Sequence, residues 1–281
     1  AAACEDVEYA VYPALKKKKI MIAGGGIAGM EAARIAAQRG HKVTIYEKTH
    51  LLGGHLIEAS VPDFKDDEKR LLAWYQNELA ELDVNICFGK EVTQELIEAE
   101  KPDAFIVATG STPKVPQIPG IKHDSVLTAC QILLDKNKAG ENIVIIGGGL
   151  VGCEVALWLG GQQNKKVTII EVLDDLMSTG EVPFANKQML RDLLKLHKIN
   201  VLTGTSVTQI GSDHVQIIDQ VLNKESIVAD NVVLAVGYQS SNKLYEIAAT
   251  LVPETSLIGD AREAKNIMSD IWDAYEIARG I

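Results

Sequence analysis

The chain has 281 residues, 47% of them hydrophobic, which is enough for two domains of ordinary size that each bury a core. Its formal net charge of −10 argues against nucleic acid as a partner. No apolar run approaches the ~18 residues that a membrane-spanning helix needs. No signal peptide is visible either, so we expect a cytoplasmic protein without a membrane partner.

The four cysteines are scattered along the chain, and no two of them form a CxxC pair. This spacing excludes the simplest redox-dithiol and zinc sites, so we predict no metal. Unpaired cysteines in an acidic chain also favour a reducing compartment. Cys153 lies at a predicted helix start, where it is either a stabilised thiolate or a small packing residue.

A βαβ unit follows a lead-in, residues 1–17, that lacks clear periodicity and is predicted to be extended. The apolar run 20–23 predicts a buried parallel strand, residues 30–38 predict a helix, and residues 42–46 predict a second strand. This is the element order of a dinucleotide-binding unit.

The turn between the first strand and its helix has the spacing Gly24-x-Gly26-x-x-Gly29. Gly24 permits the tight turn, Gly26 lets a pyrophosphate approach the backbone, and Gly29 lets the helix pack close to the strand. The helix N-terminus offers free N–H groups to the phosphates. Glu47 ends the second strand, 23 residues after Gly24, where its carboxylate can accept hydrogen bonds from an adenosine ribose.

Between the two glycine-rich units, the sequence alternates helices, strands and loops. Gly53 and Gly54 form a loop suited to close passage over a flat ligand, and His55 beside them either touches that ligand or is solvated. The buried strand 104–108 ends in small residues, and three closely spaced prolines after it predict a linker. Further predicted elements are a helix at 66–82, a strand at 85–88, and a short helix or turn at 92–98.

The whole dinucleotide pattern returns in the second half of the chain. A strand leads into a turn formed by Gly147, Gly149 and Gly152, and Glu171 ends the partner strand, 24 residues after Gly147. This repeat weakens the alternative of a glycine turn that binds nothing. The other predicted elements of this half are helices at 125–135 and 185–197, short antiparallel strands over 200–228, and a buried strand at 231–236.

The last section places Gly259 and Asp260 at the end of a strand, ahead of a final helix. Asp260 either bonds the hydroxyl chain of a cofactor or is an ordinary turn aspartate. The presence of two dinucleotide units favours the first interpretation, with the N-terminus of the final helix facing a phosphate or the ring.

Together these motifs resemble the two-dinucleotide-binding flavoprotein reductases of the glutathione-reductase-like class. The resemblance rests on both glycine turns with their terminal glutamates, and on Ala108-Thr109-Gly110, Ala235-Val236-Gly237 and Gly259-Asp260. It implies an α/β fold of two Rossmann-like dinucleotide-binding domains, with the NAD(H) domain inserted into the FAD domain. The implied boundaries are 18–120 and 240–281 for the FAD-binding domain and 121–239 for the NAD(H)-binding domain.

The implied FAD site draws on the first glycine turn, the loops after the strands and the start of the last helix. Its residues are Gly24, Gly26, Ile27, Ala28, Gly29, Glu47, Lys48, Gly53, Gly54, His55, Leu56, Val92, Ala108, Thr109, Gly110, Gly259, Asp260, Ile267 and Met268. The implied NADH site consists of Gly147, Gly149, Leu150, Val151, Gly152, Glu171 and Gly237. The cofactors carry the chemistry. Glu154 is the candidate catalytic side chain because it resembles a family position near the nicotinamide; alternatively it is a glutamate favoured by the helix dipole.

A narrower resemblance is to the C-terminal part of 2-enoate reductases, relatives of 2,4-dienoyl-CoA reductase and of multi-domain old yellow enzymes. It rests on residues 13–19, the Leu-Gly-Gly-His loop and Asp260-Ala261-Arg262. In that family an FMN-binding barrel and a 4Fe–4S cluster precede this region. Cys4, the one cysteine before the first strand, cannot hold a cluster. The resemblance therefore implies an electron-input module that passes hydride from NADH to FAD, with electrons continuing to such a barrel as its partner.

Two other functions fit the same sequence: a free-standing NADH:acceptor oxidoreductase (diaphorase) and a non-catalytic nucleotide-binding structural domain. Reduction of bound flavin by NADH separates the structural domain from the two enzymes. Glu171 predicts NADH over NADPH, because a carboxylate there bonds the 2′-hydroxyl and repels a 2′-phosphate. No arginine lies between Ile170 and Glu181 to accept that phosphate.

Overall fold

The computed structural model describes residues 5–180 and 182–281. In that part of the chain the strands are β1 (Lys19–Ala23), β2 (Lys42–Glu47), β3 (Asn85–Phe88), β4 (Ala104–Val107), β5 (Ser111–Pro113), β6 (Val126–Thr128), β7 (Asn142–Ile146), β8 (Lys166–Ile170), β9 (Asn200–Leu202), β10 (Thr205–Ile210), β11 (His214–Asp219), β12 (Lys224–Val228), β13 (Asn231–Leu234), β14 (Tyr238–Ser240) and β15 (Thr255–Leu257). The α-helices are α1 (Glu5–Glu8), α2 (Ile27–Gln38), α3 (Leu56–Ala59), α4 (Asp66–Glu81), α5 (Gln94–Glu100), α6 (Ala129–Leu134), α7 (Leu150–Leu157), α8 (Phe184–Leu196), α9 (Lys243–Leu251) and α10 (Ile267–Gly280).

The chain folds into two compact units, one of which is inserted into the other. Unit 1 contains the described residues up to Thr112 together with Ser240–Ile281, and unit 2 is Pro113–Gln239. The boundary after Thr112 differs from the sequence boundary after Gly120, because the segment before Gly120 packs within unit 2. There the carbonyl oxygen of Pro119 accepts a 2.8 Å hydrogen bond from the N–H of Ile210.

Unit 1 is built on a five-stranded parallel sheet in the order β15-β4-β1-β2-β3. Alternate residues of β1 point to opposite faces, so Ile20 and Ile22 join the core formed with α2 and α10, while Met21 and Ala23 join the core on the other face. Both faces are covered, which explains why β1 and β4 are continuous apolar runs rather than alternating ones.

Unit 2 repeats this plan with a five-stranded parallel sheet in the order β6-β13-β7-β8-β9. An antiparallel sheet, β10-β11-β12, packs on one face of it, and Val215 and Ile217 share a core with Val144 and Val232 of the parallel sheet. The two parallel sheets confirm the predicted α/β fold with Rossmann-like units.

Several local predictions need correction. The predicted helix at 125–135 begins with a strand, β6, and becomes helical only at Ala129, where Thr128 forms a capping box with Gln131. The predicted extended lead-in contains the short helix α1, and residues 1–4, with Cys4, lie outside the described residues. In the region predicted to be antiparallel, β9 instead joins the parallel sheet next to β8.

Candidate functional site

The first glycine turn joins β1 to α2, and two of its glycines are required by the fold itself. Gly24 has a φ of 109°, and a Cβ there would lie 2.2 Å from the carbonyl oxygen of Ala108. A Cβ on Gly29 would lie 2.0 Å from the carbonyl oxygen of Gly24. These contacts draw the ends of β1 and β4 and the first turn of α2 together, which creates the edge where a ligand can bind.

Gly26 differs from these two because the protein leaves space beside it. It is the N-cap of α2, and a Cβ there would have its nearest neighbour, the Cα of Gly54, at 3.9 Å. The fold alone would therefore accept a methyl group at this position. A hydrogen-bonding anion at the helix N-terminus would not, because its oxygens need the free N–H groups that the Cβ would cover. This open cradle fits a pyrophosphate.

The second turn, between β7 and α7, repeats the first closely. Gly147 also has a φ of 109°, and a Cβ there would lie 2.4 Å from the carbonyl oxygen of Ala235. A Cβ on Gly152 would lie 2.0 Å from the carbonyl oxygen of Gly147, whereas Gly149 has no atom within 4 Å of its Cβ position. Unit 2 thus contains the same cradle, formed in the same way.

Each turn is held by the glutamate at the end of the next strand. Glu47 accepts hydrogen bonds of 2.8 Å from the N–H groups of Gly25 and Thr49, and its side chain is buried. Glu171 accepts bonds of 2.6 Å from Gly148 and 2.9 Å from Leu173. A carboxylate oxygen can accept more than one hydrogen bond, so both glutamates keep capacity for a ribose hydroxyl.

The loop after Glu47 lies directly over the first turn. The N–H of Gly53 donates to the carbonyl oxygen of Gly25 at 2.8 Å, and a Cβ on Gly54 would be 3.0 Å from the Cα of Gly26. His55 is held in this loop, with Nδ1 2.7 Å from Oε1 of Glu58 and Nε2 3.0 Å from the carbonyl oxygen of Ser111. These two contacts hold the ring in one orientation.

The Gly259-Asp260 turn follows β15 and reaches the same edge of the sheet. A Cβ on Gly259 would lie 2.6 Å from the Cβ of Ala28 in the first turn of α2, so Gly259 is fixed against the first glycine turn. Asp260 accepts a 2.8 Å hydrogen bond from the hydroxyl of Ser111 and a 3.0 Å bond from the N–H of Lys265. The sequence did not indicate Ser111 as a partner of this candidate site residue.

Two further aspartates of α10 lie behind this turn. Asp273 accepts a 2.7 Å hydrogen bond from the N–H of Gly259 and forms a 2.8 Å ion pair with Arg262. Asp270 is 9% exposed, and burial, followed by the charges of Asp260 and Asp273, raises its pKa to about 7. Neither aspartate carries a motif, and both become visible only through the fold.

The remaining predicted FAD residues lie in unit 1, mostly at the carboxyl ends of its strands or at the start of a helix. Ile27 and Ala28 begin α2 and are buried, Leu56 begins α3 and is buried, and Lys48 follows β2 and is exposed. The others are half-buried Val92 after β3, Ala108, Thr109 and Gly110 after β4, half-buried Ile267, and exposed Met268.

The predicted NADH residues have the equivalent places in unit 2. Leu150 and Val151 begin α7, Glu171 follows β8, and Gly237 comes after β13. Gly237 has a φ of 93° with no atom within 4 Å of its Cβ position, so the backbone is open to a ligand there. This is the edge of a parallel sheet at which nucleotides bind in such folds.

Two residues near the second turn were assigned alternative roles from the sequence. Cys153 is fully buried, its thiol donates to the carbonyl oxygen of Gly148 at 3.4 Å, and burial raises its pKa to about 12. It is therefore a packing residue and not a stabilised thiolate. Glu154 is half-buried on α7, and its catalytic role stays a prediction.

A buried polar cluster behind the first turn was also missed. Glu31 of α2 is 2% exposed and binds Arg34 through two hydrogen bonds of 2.8 and 2.9 Å. The hydroxyl of Tyr75 donates to the same carboxylate at 3.1 Å. The signal in the sequence was a glutamate inside an otherwise apolar, alanine-rich segment.

In unit 2, Arg191 comes from α8 to the loop that covers the second turn. Its guanidinium lies 2.6 Å from Oδ2 of Asp175 and 3.2 Å from the carbonyl oxygen of Leu176. The side chain of Leu176 lies against Gly148, where a Cβ would be 2.4 Å from it. The absence of arginine from the loop sequence therefore did not exclude a guanidinium at this loop, where Asp175 binds it.

Comparison with known proteins identifies the family. The sequence profile of the pyridine nucleotide-disulphide oxidoreductases matches residues 18–274. The cinnamate reductase of Clostridium sporogenes is 44% identical over 98% of this chain and 41% of its own length. The bilirubin reductase of Mediterraneibacter gnavus is 36% identical over 96% of this chain and 42% of its own length. The chain thus spans less than half the length of these curated relatives.

The fold agrees with this assignment. A solved 2-naphthoyl-CoA reductase superposes with a TM-score of 0.92 at 32% identity, over 98% of this chain and 42% of that chain. The thioredoxin reductase of T. acidophilum shares the fold with a TM-score of 0.73 at 21% identity, over 93% of this chain and 96% of that chain. Among the described residues, no helix has both the length and the apolar composition needed to cross a membrane.

The predicted cofactor pair, FAD with a pyridine nucleotide, is the pair that this family binds. The two open glycine cradles, each with a buried glutamate at the end of the following strand, fit one dinucleotide per unit. The chain belongs to the pyridine nucleotide-disulphide oxidoreductase family, and its sequence is similar to the corresponding region of enoate-type flavoprotein reductases.

Proposed function

We propose that the chain is an electron-input module in which NADH, bound by unit 2, reduces FAD, bound by unit 1. The observation that carries the proposal is the repetition of one complete dinucleotide cradle in two separate units. FAD, when bound, supplies the chemistry of accepting a hydride. The protein residues bind and orient the two dinucleotides.

In unit 1, the proposed FAD site begins at the N-terminus of α2. Gly26 leaves the N–H groups open to the pyrophosphate, and Glu47 is placed to accept the ribose hydroxyls. Asp260 is placed to bind the hydroxyl chain, and its bond from Ser111 fixes the direction of the carboxylate. His55 brings a hydrogen-bonding ring to the loop that lies over the turn.

In unit 2, Gly149 leaves the corresponding N–H groups open and Glu171 is placed to accept the adenosine ribose of NADH. The carboxylate disfavours a 2′-phosphate because two negative charges would then share one desolvated site. Gly237 leaves the backbone after β13 open on the same edge.

We further propose that the electrons continue to an FMN- and 4Fe–4S-containing barrel, present as a domain of a longer protein or as a separate subunit. The support is the relationship to the cinnamate reductase, of which this chain spans 41% at 44% identity. A separate part of such a protein would then bind the unsaturated substrate and contain the groups that reduce it.

The test combines the full chain and NADH with the part of the C. sporogenes cinnamate reductase that this chain does not match, after incubation with FMN, iron and sulfide to load the proposed cofactors. We expect saturated product only when both proteins are present. The chain with Gly26→Ala serves as the matched control, because it should keep its fold but bind FAD about ten- to a hundredfold more weakly and so form less product at limiting FAD. If no saturated product formed although the barrel carried both of its cofactors, the proposed electron transfer to the barrel would be contradicted.

A second candidate is a free-standing NADH:acceptor reductase. It is favoured by the T. acidophilum thioredoxin reductase, since the common fold covers 96% of that chain and two such units can therefore make up nearly a whole protein. Rapid reduction of dyes without any transfer to the barrel would favour this candidate.

A further inference from the structure

Asp270 occupies an unusual place for a carboxylic acid. It lies in the first turns of α10, is 9% exposed, and its Oδ1 is 3.2 Å from the position of a Cβ on Gly259. The same position is 2.6 Å from the Cβ of Ala28, in the first turn of α2. Asp270 and the first turn of α2, which follows the proposed pyrophosphate cradle, therefore both lie against the same side of Gly259.

The charges that face Asp270 come from three elements. Asp273 lies on α10 itself, Asp260 lies in the turn after β15, and both carry negative charge toward it. His55, from the loop after β2, acts in the opposite direction, and the N–H of Asp260 donates a hydrogen bond to Asp270. Arg262, the cation of the same turn, is already paired with Asp273 at 2.8 Å.

Asp273 and Asp270 differ in how their charges are balanced. Asp273 has a guanidinium and the N–H of Gly259 as partners, which stabilise its ionised form. Asp270 shows no ion pair in the described part of the chain, and burial is the largest influence on its pKa, which is raised to about 7. The neutral form of Asp270 is therefore favoured far more than it is for an exposed aspartate.

We infer that Asp270 couples FAD binding to proton uptake, because the carboxyl must be neutral when the pyrophosphate lies beside it. The inference rests on the proposed FAD site. A bound pyrophosphate adds two negative charges at the N-terminus of α2, and the ionised form of a buried neighbouring acid is then disfavoured further. Binding therefore draws a proton onto Asp270 whenever the free protein has lost it.

The sign of the effect follows from linkage. A group whose pKa rises on binding makes the affinity fall as the pH increases from its pKa in the free protein to its pKa in the complex. Below pH 6 Asp270 is neutral in both states and has no effect. Above pH 7 the dissociation constant of FAD should increase about tenfold for each pH unit until the complex also ionises.

His55 is the other titratable group that could produce a pH dependence of the same sign. Its loss of a proton would also weaken the binding of an anion. A His55→Gln variant, measured from pH 7 to pH 9, separates the two groups. The variant should keep the slope in that window, because Asp270 is unchanged.

The experiment measures FAD binding to the flavin-stripped full chain by titration calorimetry from pH 6 to pH 9. Each pH is run in two buffers with different enthalpies of ionisation, which gives the number of protons taken up. We expect uptake of nearly one proton at pH 8 and roughly a fivefold weaker affinity at pH 8 than at pH 7, because Asp270 is already half ionised at pH 7. Asp270→Asn keeps an acceptor for the N–H of Asp260 and should abolish both the uptake and the slope.

Asp273→Asn is the matched control. It removes a charge from the same helix but leaves Asp270 in place, so it should retain proton uptake even if binding weakens. Proton uptake near zero in the unmodified chain, or an unchanged slope in Asp270→Asn, would overturn the inference; the first measurement needs no variant to fold. Absence of FAD binding at every pH would instead reject the FAD site itself.

Discussion

Oε2 of Glu171 lies 2.6 Å from the backbone nitrogen of Gly148, so the residue expected to select the nucleotide also holds the glycine turn expected to bind it. Its other oxygen accepts a bond of 2.9 Å from Leu173. A change that removes the charge can therefore also disturb the turn. Variants that test nucleotide specificity must therefore keep a hydrogen-bond acceptor at residue 171.

We expect the chain to prefer NADH over NADPH by on the order of a hundredfold, because juxtaposed like charges cost several kcal/mol. Glu171→Gln keeps one acceptor oxygen for Gly148 and should narrow that preference. Glu171→Arg should narrow it too, but at a cost in stability, since it replaces a buried acceptor by a donor. Stopped-flow measurement of flavin reduction with both nucleotides decides the matter. If the ratio of the flavin-reduction rate constant to the nucleotide dissociation constant were equal for NADH and NADPH in the unmodified chain, the role of Glu171 would be refuted.

Arg191 offers a second way to change the same preference. Its guanidinium is bound by Asp175 at 2.6 Å, at the loop that covers the second turn. Asp175→Asn should weaken that bond and, combined with Glu171→Gln, improve NADPH binding beyond the effect of Glu171→Gln alone. The dissociation constants of NADH and NADPH, measured for the single and the double variant, give the size of this additional gain. Arg191→Met in the same background should remove the additional gain.

The two open glycines provide a matched pair of variants. Gly26→Ala and Gly149→Ala place a methyl group where the fold has room, and both residues have ordinary negative φ values. We expect near-normal thermal stability in both. Gly26→Ala should weaken FAD by ten- to a hundredfold and Gly149→Ala should do the same for NADH, because crowding of this kind costs about 1–3 kcal/mol.

Binding is measured for each ligand in each variant, with Gly152→Ala as a contrast. That variant should not fold, because its Cβ would lie 2.0 Å from the carbonyl oxygen of Gly147. If Gly26→Ala weakened NADH and spared FAD, the assignment of the two cofactors to the two units would have to be reversed.

The stability of the FAD-free chain should depend on pH through Asp270. Its pKa is raised from 3.8 to about 7 in the folded protein, so folding favours the protonated form and stability is lost as the pH rises from about 4 to about 7. Asp270→Asn removes this loss. Its melting temperature should exceed that of the unmodified chain by several degrees at pH 8 and match it near pH 4. A constant difference across this range would contradict the prediction.

The buried cluster around Glu31 should contribute to stability rather than to chemistry. Tyr75→Phe removes one of three hydrogen bonds to a carboxylate that is 2% exposed, and we expect a loss of about 1–2 kcal/mol in the free energy of unfolding. Glu31→Ala should cost more, since it leaves both Arg34 and Tyr75 without their shared partner. Denaturant unfolding of the two variants gives the comparison, and FAD affinity in Tyr75→Phe should stay unchanged.

The parts of the fold that the sequence predicted well are those with local signals. The strands β1 and β7 were visible because each is a short apolar run followed by glycines at fixed spacing. By contrast, β6 has three residues and is a strand only because Val126, Leu127 and Thr128 pair with β13, more than a hundred residues later. No local pattern carries that information.

The residues of the candidate site also divide into those that stand in a local motif and those that only the fold brings together. The glycines, Glu47 and Asp260 stand in motifs, whereas Ser111 and Asp270 reach the site from separate parts of the chain and have no motif of their own. The sequence left open whether His55 contacts a ligand or is solvated, and that choice stays open; its bonds to Glu58 and Ser111 could not be read from the sequence. Side-chain partners that depend on tertiary contacts are not encoded in local spacing.

An isolated chain should reduce dyes but not unsaturated acids. Reduction of an activated alkene needs a hydride donor beside one carbon and a proton source at the other, and we assign both to the barrel. Ferricyanide or a quinone dye should therefore be consumed at the expense of NADH, whereas cinnamate should remain unchanged. Chromatography of the products checks this. Saturated acid formed by the purified chain alone would contradict the division of labour.

The central claim is that this chain itself passes a hydride from NADH to FAD, and anaerobic single-turnover mixing tests it most directly. The purified chain, with its bound flavin identified as FAD by mass, is mixed with NADH while the absorbance of oxidised flavin is followed. We expect that absorbance to disappear with one equivalent of NADH, and to disappear far more slowly in Gly149→Ala. Persistence of oxidised FAD in the unmodified chain at saturating NADH would contradict the account and favour a structural nucleotide-binding role.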